Sequence, residues 1–482
     1  MAACVFQCPP AASSAFWGGC KRLPPQPATG KRSRSLRKTL MSHSRKSFFR
    51  KSFFRKSFAP LPLAALCVSL LLLLSGGCGP DHQQATPGGK VVLNYWNGFS
   101  GPDGKTMSAM VQQFEKENPD VEVHMQIIPW GTYYDKLTLA LAYGGAPDVF
   151  IVQAARFPEF ASFHTLHPVA DVFADAKTPL GAKDFAPVPW HESFYQGTQY
   201  ALPLDTHPIG LYYNTKLFKD AGIVDGNGNA KPPTTLPEFL ADAKKLTRDT
   251  TGEGRPDQWG FVFTFEHTNW LTFAHQFGGD ILTPDGKRGA MSSPGSLAAT
   301  HLMCDLITKY KVAPKPEGID SWLALRQGKV GMAMEGIYML SSLKETTGLE
   351  FAGAPVPQFG PDKGVWGGSH LLCEPAGIDL AHAKAAGRLM RFLSDHSLDW
   401  GIGGQVPARV AVTQSAEFQS QPVQAQFARQ IGYVVYDPQV PRSNALNQFV
   451  DPAIDAALSG QQTPEEAMKD ADRRINQVLA RP

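Results

Sequence analysis

The chain has 482 residues, 43% apolar and 18% charged, which gives it ample material for a buried core and excludes both wholesale disorder and a polytopic membrane protein. Its net charge of +3 conceals an asymmetry, because residues 1–77 carry 13 of the 46 Lys and Arg and no acid. The other 405 residues hold 33 basic against 43 acidic side chains, net −10, which lacks the basic footprint that a nucleic-acid partner requires.

Residues 1–77 read as an export signal and are set aside for fold reasoning. A basic stretch contains Lys46-Ser47-Phe48-Phe49-Arg50, repeated at 51–55, and Met41 opens a signal of more usual length. The apolar core that follows, Leu61 to Leu74, has 14 residues, short of the roughly 20 that a membrane-spanning helix needs. It closes on Leu74-Ser75-Gly76-Gly77-Cys78. Small residues running into cysteine resemble a bacterial lipobox, with Ser75 where that box usually has Leu, and this marks Cys78 as the lipidation site. Residues 79–89 form a polar tether. Beyond them only Cys304 and Cys373 remain, expected as two buried free thiols, with a single disulfide as the alternative in an oxidising compartment, and no Cys/His spacing suggests a metal.

From residue 90 the pattern alternates between strand and helix. Val91 to Trp96 is a short apolar strand ended by a Gly/Ser/Pro/Asp loop at 97–104, and Met107 to Glu117 has helical spacing. Val121 to Ile128 alternates as a strand, Tyr133 to Tyr143 is a helix, and Asp148 to Val152 is an apolar run suited to a buried parallel strand. Further helices are expected at 235–247, 293–310, 382–394 and 464–480, with a strand at Val330 to Met334. Such alternation implies α/β layers around a mostly parallel sheet.

Several motifs fall short of a chemistry. Gly98 to Thr106 nearly spells a phosphate-binding loop, but five residues rather than four separate its outer glycines. The acidic loops at 225–236 and 249–260 lack the acidic residue at position 12 of a calcium site and read as turns. No Gly-x-Ser-x-Gly or His-Glu-x-x-His occurs, so nothing in the sequence supports an enzyme.

The strongest signal lies at 203–220: Pro203-Leu204-Asp205, four free positions, Gly210, two apolar residues, Tyr213-Asn214, then an apolar and an acidic position. It matches the signature of the family 1 extracellular solute-binding proteins of ABC importers. The chain resembles that family over roughly residues 90–475, through Tyr95-Trp96, Gly145 to Val149, Gly328 to Tyr338, Val365 to Ser369 and Val406 to Arg409 in order. Residue chemistry points the same way. Sugars offer apolar C–H faces and a rim of hydroxyls, which flat aromatic rings beside hydrogen-bonding groups can hold. Trp96, Trp130, Trp270, Tyr338 and Trp366 are expected in loops or at strand ends, where α/β proteins bind ligands.

The resemblance implies an α/β, two-lobed periplasmic-binding-protein-like fold with a three-crossing hinge and a central ligand cleft. The first lobe would be 90–204 plus 366–398, and the second 205–365 plus 399–482. The function implied is capture of a sugar or oligosaccharide for an ABC permease in the membrane, by an exported, lipid-anchored monomer without a cofactor. Alternatives are a glycerol-3-phosphate or phosphodiester ligand, which a second cleft Arg or Lys near Arg409 would favour, and a secreted glycosidase. Trp366 and Trp270 would stack on sugar rings, with Trp96 and Tyr338 at the cleft edge and Trp130 and Tyr133 beside them. Asp205 and Arg409 would bond hydroxyls from the second lobe and hinge, or pair with each other to hold that hinge. Gln153 and Ser100 would act from the first lobe, and Gly367, Gly368 and Ser369 would offer backbone N–H groups. Asp148 is read as holding a strand end.

Overall fold

The computed structural model describes residues 89–173, 178–316 and 319–481; the signal segment, Cys78 and the tether up to residue 88 lie outside these. The first sheet is built on Val149–Gln153, whose continuous apolar run is buried on both faces. It lies parallel to Val91–Asn97, which in turn pairs in parallel with Val121–Ile127 at the edge. There the alternation of buried Val121 and Val123 with outward Glu122 and His124 marks a strand covered on one side only. His370–Cys373 and Leu202–Pro203 complete the sheet in antiparallel sense. The helix Pro102–Glu117 covers it with Met107, Met110, Val111 and Phe114. This helix starts five residues earlier than its apolar spacing suggests, because Pro102 suits the first helical turn and Asp103 complements its dipole.

The second sheet centres on Asp205–Asn214, ten residues all buried. It pairs antiparallel with Val330–Gly336, Phe351–Ala354, Val365–Gly368 and Val406–Pro407. One face packs on the helices Glu266–Gln276, Pro294–Thr308, Ser443–Ser459 and Pro464–Leu479, and the other on Phe418 and Phe427. The first and third of these helices escape the periodicity reading, as does the short helix Ser321–Arg326 ahead of the strand Val330–Gly336.

The chain passes between sheets three times. Leu204 packs in the first lobe while Asp205 opens the second sheet. Val365–Gly368 still belongs to the second sheet, so the return comes at Ser369 rather than at residue 366. The third passage runs through 397–408, where Trp400 and Ala408 pack in the first lobe and Val406 pairs in the second sheet.

One buried carboxylate joins the three passages. Asp205 Oδ2 accepts from Trp400 Nε1 at 2.7 Å and from His370 Nδ1 at 2.8 Å. Its Oδ1 accepts from the His370 backbone N–H at 3.0 Å and from His207 Nδ1 at 3.3 Å. Ser369 Oγ donates to the Asp205 carbonyl. Cys304 and Cys373 are free thiols, and burial pushes Cys304 up to about 11.

Candidate binding cleft

Between the sheets lies a cavity of about 920 Å³. The first lobe contributes Ser100, Asp103, Trp130, Tyr134, Gln153 and Arg156. Phe265, His267, Tyr338, Trp366, Asp437 and Asp451 come from the second lobe, and His207, His370 and Gln405 from the hinge.

The rings form a connected tier. The Arg156 guanidinium sits 4.4 Å over Tyr134, and Tyr134 stacks on Trp130 with centroids 5.9 Å apart. Trp130 lies nearly parallel to His370, at 5.8 Å and 11°. His370 and His207 follow at 4.4 Å, and His207 reaches Tyr338 at 6.1 Å and Trp366 at 6.3 Å. Three glycines make room for this tier. A Cβ on Gly98 would stand in the Trp130 ring, one on Gly336 in the Tyr338 ring, and one on Gly368 in the His207 ring. Each ring therefore lies directly against backbone.

The second-lobe wall is held by charge. His267 Nε2 meets Asp437 Oδ1 at 2.6 Å, and its Nδ1 meets Asp451 Oδ1 at 2.6 Å. Burial alone would lower this imidazole, but the two carboxylates, Asp437 foremost, push it up to about 10, so it is a cation at neutral pH. Asp437 Oδ2 accepts from Trp366 Nε1 at 2.9 Å, which fixes the indole plane. Tyr338 is fixed likewise, its hydroxyl donating to buried Glu335 at 2.8 Å.

At the hinge, burial opposes ionisation of Asp205, but His370 and His207 hold it well below the usual carboxylate range. Burial and neighbouring His370 hold His207 below the ordinary imidazole value. Asp205, His207 and His370 lie close enough to suggest a cation site. The carboxylate already accepts four hydrogen bonds, however, so its lone pairs are spent and the donor set does not fit a metal.

Of the residues expected in the site, Ser100, Trp130, Gln153, Tyr338, Trp366, Gly367 and Gly368 line the cavity. Six do not. Trp270 is fully buried inside the helix Glu266–Gln276, its Nε1 bonded to Thr300 at 2.8 Å, and is core. Tyr133 is buried, its hydroxyl donating to the Ile151 carbonyl at 2.7 Å, and it meets Trp130 edge-on from behind. Trp96 packs on that same cluster beneath the cleft. Asp205 and Ser369 are fully buried in the hinge. Arg409 pairs with neither Asp205 nor the cleft: its Nη1 meets Asp395 at 2.7 Å and its guanidinium lies 5.4 Å over Phe185. Gly368 serves by its missing Cβ, since it and Gly367 already pair with His207 and Pro208 in the sheet. Asp148 Oδ2 accepts from the Asn94 N–H at 2.7 Å and so holds a strand end.

Sequence reasoning overlooked Tyr134, Arg156, His207, His370, Gln405 and the acidic pair around His267. One signal was available. Asn444, Asn447 and Asp451 recur at i, i+3 and i+7 beside the buried stripe of Leu446, Val450 and Ile454, which is a helix with a polar cleft-facing stripe. Arg156 is the single Lys or Arg among the cavity-lining residues.

Residues 98–378 match the profile of the bacterial extracellular solute-binding proteins. The maltotriose-binding protein of Pyrococcus abyssi is 24% identical over 383 residues, 77% of this chain and 78% of its own. The sn-glycerol-3-phosphate-binding periplasmic protein of Escherichia coli is 22% identical over 454 residues, 88% of this chain and 98% of its own. An ABC substrate-binding protein of Listeria monocytogenes, solved in complex with cycloalternan, superposes with a TM-score of 0.69 at 24% identity, over 82% of this chain and 100% of that one. The two-lobed fold is thus shared along nearly the whole length of that neighbour, and the family profile spans more than half of this sequence. With its two sheets, triple hinge and ring-lined cleft, this chain belongs to the bacterial extracellular solute-binding protein family.

Proposed function

We propose that this protein captures a sugar or oligosaccharide in the cleft and delivers it to the permease of an ABC import system. The observation that carries the reading is the tier of ring faces from Tyr134 through Trp130 and His370 to Trp366, walled by polar side chains. Pyranose C–H faces lie against such rings, while the rim hydroxyls reach the carboxylates and amides around them. A cavity of about 920 Å³ sits at the upper end of small-molecule sites and suits an oligosaccharide. The lobes close by bending at the three passages, which expels water and strengthens the polar contacts. The protein works outside the cytoplasm as a lipid-anchored monomer and takes no cofactor. Cys78→Ala then moves it from membranes to the soluble fraction.

A thermal-shift screen against mono- and oligosaccharides and sn-glycerol 3-phosphate tests the reading. A ligand at 100 times its Kd stabilises by about 2.7 kcal/mol, well above detection. A shift with the phosphate ester and with no saccharide would overturn it, as would turnover of chromogenic glycosides.

A further inference from the structure

The two hinge histidines both line the cavity, and both are joined to one acceptor. An ionised carboxylate only accepts hydrogen bonds, so the Nδ1 atom of each ring that faces Asp205 carries the proton. With Nδ1 as donor, the other nitrogen of a neutral imidazole is an acceptor. Neither Nε2 has a hydrogen-bond partner among the described residues. The rings are 4.4 Å apart, so the cleft floor offers two neighbouring acceptors of fixed direction. Gln405 adds a third. It is 1% exposed, lines the same cavity, and its amide oxygen has no partner among the described residues.

Resting on the carbohydrate reading above, we propose that His207 and His370 are specificity residues that accept hydrogen bonds, through Nε2, from two adjacent hydroxyls of the saccharide, and that Asp205 is the positioning residue that fixes their tautomers. Adjacent hydroxyls can both donate to this floor. A phosphate monoester brings mainly acceptors and negative charge to a surface that also accepts, and both lining cations are already engaged, Arg156 by Glu159 at 2.9 Å and by Tyr134, and His267 by Asp437 and Asp451 at 2.6 Å each. The site therefore discriminates for diols and against phosphate esters.

The test uses the purified full chain at pH 7.5, with maltotriose, its O-methylated counterpart and sn-glycerol 3-phosphate as probes in calorimetry. Nitrogen-15 NMR of the histidines reads the tautomers without ligand. The expected result is protonated Nδ1 and bare Nε2 on both rings, and binding of maltotriose in preference to the other two probes. His207→Leu should weaken maltotriose about 3- to 10-fold, the range of one neutral hydrogen bond. His207→Gln, which can again place an acceptor there, should recover part of that loss. Asp205→Asn should mix the tautomers. Should that variant fail to fold, the two His207 variants and the wild-type spectrum still decide. Protonated Nε2 in a protein that binds maltotriose overturns this assignment alone, as does equal affinity for the methylated sugar. A protein with the expected tautomers that binds no saccharide overturns the carbohydrate reading and this assignment together.

Discussion

His267 gives the sharpest stability test. It is 8% exposed and lies between Asp437 and Asp451, each at 2.6 Å, with its folded pKa raised to about 10 against an ordinary 6.5. A raised pKa means that the folded state holds the proton more tightly than the unfolded chain. Its contribution is therefore complete below pH about 6.5 and is lost as pH rises through about 10. At about 1.36 kcal/mol per pH unit the whole window is worth on the order of 4–5 kcal/mol. Asp451 is 55% exposed, and water screens its share, so about 3 kcal/mol is a fairer expectation. Comparing wild type with His267→Gln by urea denaturation at pH 6, 8 and 10 cancels the other groups that titrate in this range. The wild-type advantage should be largest at pH 6 and fall to less than about 1 kcal/mol at pH 10. A gap that stays constant across the range would show that the imidazole is neutral there, and the charge-held wall would have to be abandoned.

Three further outcomes follow from the cleft and hinge. Trp366→Ala should weaken saccharide binding by roughly 2–4 kcal/mol, as loss of an aromatic anchor does, and calorimetry showing unchanged affinity would remove this ring from the site. Arg409→Lys keeps the charge but loses the directed contacts to Asp395 and Phe185, so the melting temperature should fall while saccharide affinity stays at the wild-type value. Gly368→Ala puts a methyl group in the His207 ring and should reduce affinity in a folded protein, seen as normal circular dichroism with a weaker calorimetric signal; full affinity would refute the tight ring-to-backbone packing.

The sheets were legible where one strand carries its own pattern. The run Val149–Gln153 can be read from a single segment, whereas the passage at Leu204-Asp205 was implied only by the family resemblance. Helix Glu266–Gln276 could not be read from its own segment, because it is buried almost all round and even polar residues point into the fold: Thr272 donates to the Thr268 carbonyl and Gln276 to the Gly364 carbonyl. Without an exposed stripe no helical period shows, so Trp270 looked like a loop tryptophan. Tyr133 and Tyr134 differ by one position, which on a helix turns a side chain by about 100°. That single step sends one hydroxyl to the core and the other ring to the cleft. His207 and His370 meet because Gly368 pairs with His207 in one sheet while His370 pairs with Gln153 in the other. Such a meeting across two sheets leaves no trace in local spacing. The Arg409 partner, Asp395, is likewise chosen by tertiary packing.

The shared carboxylate at the hinge also bears on how this protein comes apart. Chains with two lobes often unfold in two steps, because each lobe keeps its own core when the other melts. Here neither lobe is a continuous piece of chain, and Asp205, at the head of the second sheet's central strand, satisfies the buried indole N–H of Trp400 and the imidazole of His370, which pack in the first lobe. Melting the second lobe would leave those donors buried without an acceptor, at a cost of about 1–3 kcal/mol each. The two cores are thereby coupled, and a calorimetric scan of the ligand-free protein should give one cooperative endotherm, with a second peak emerging only when that carboxylate is removed.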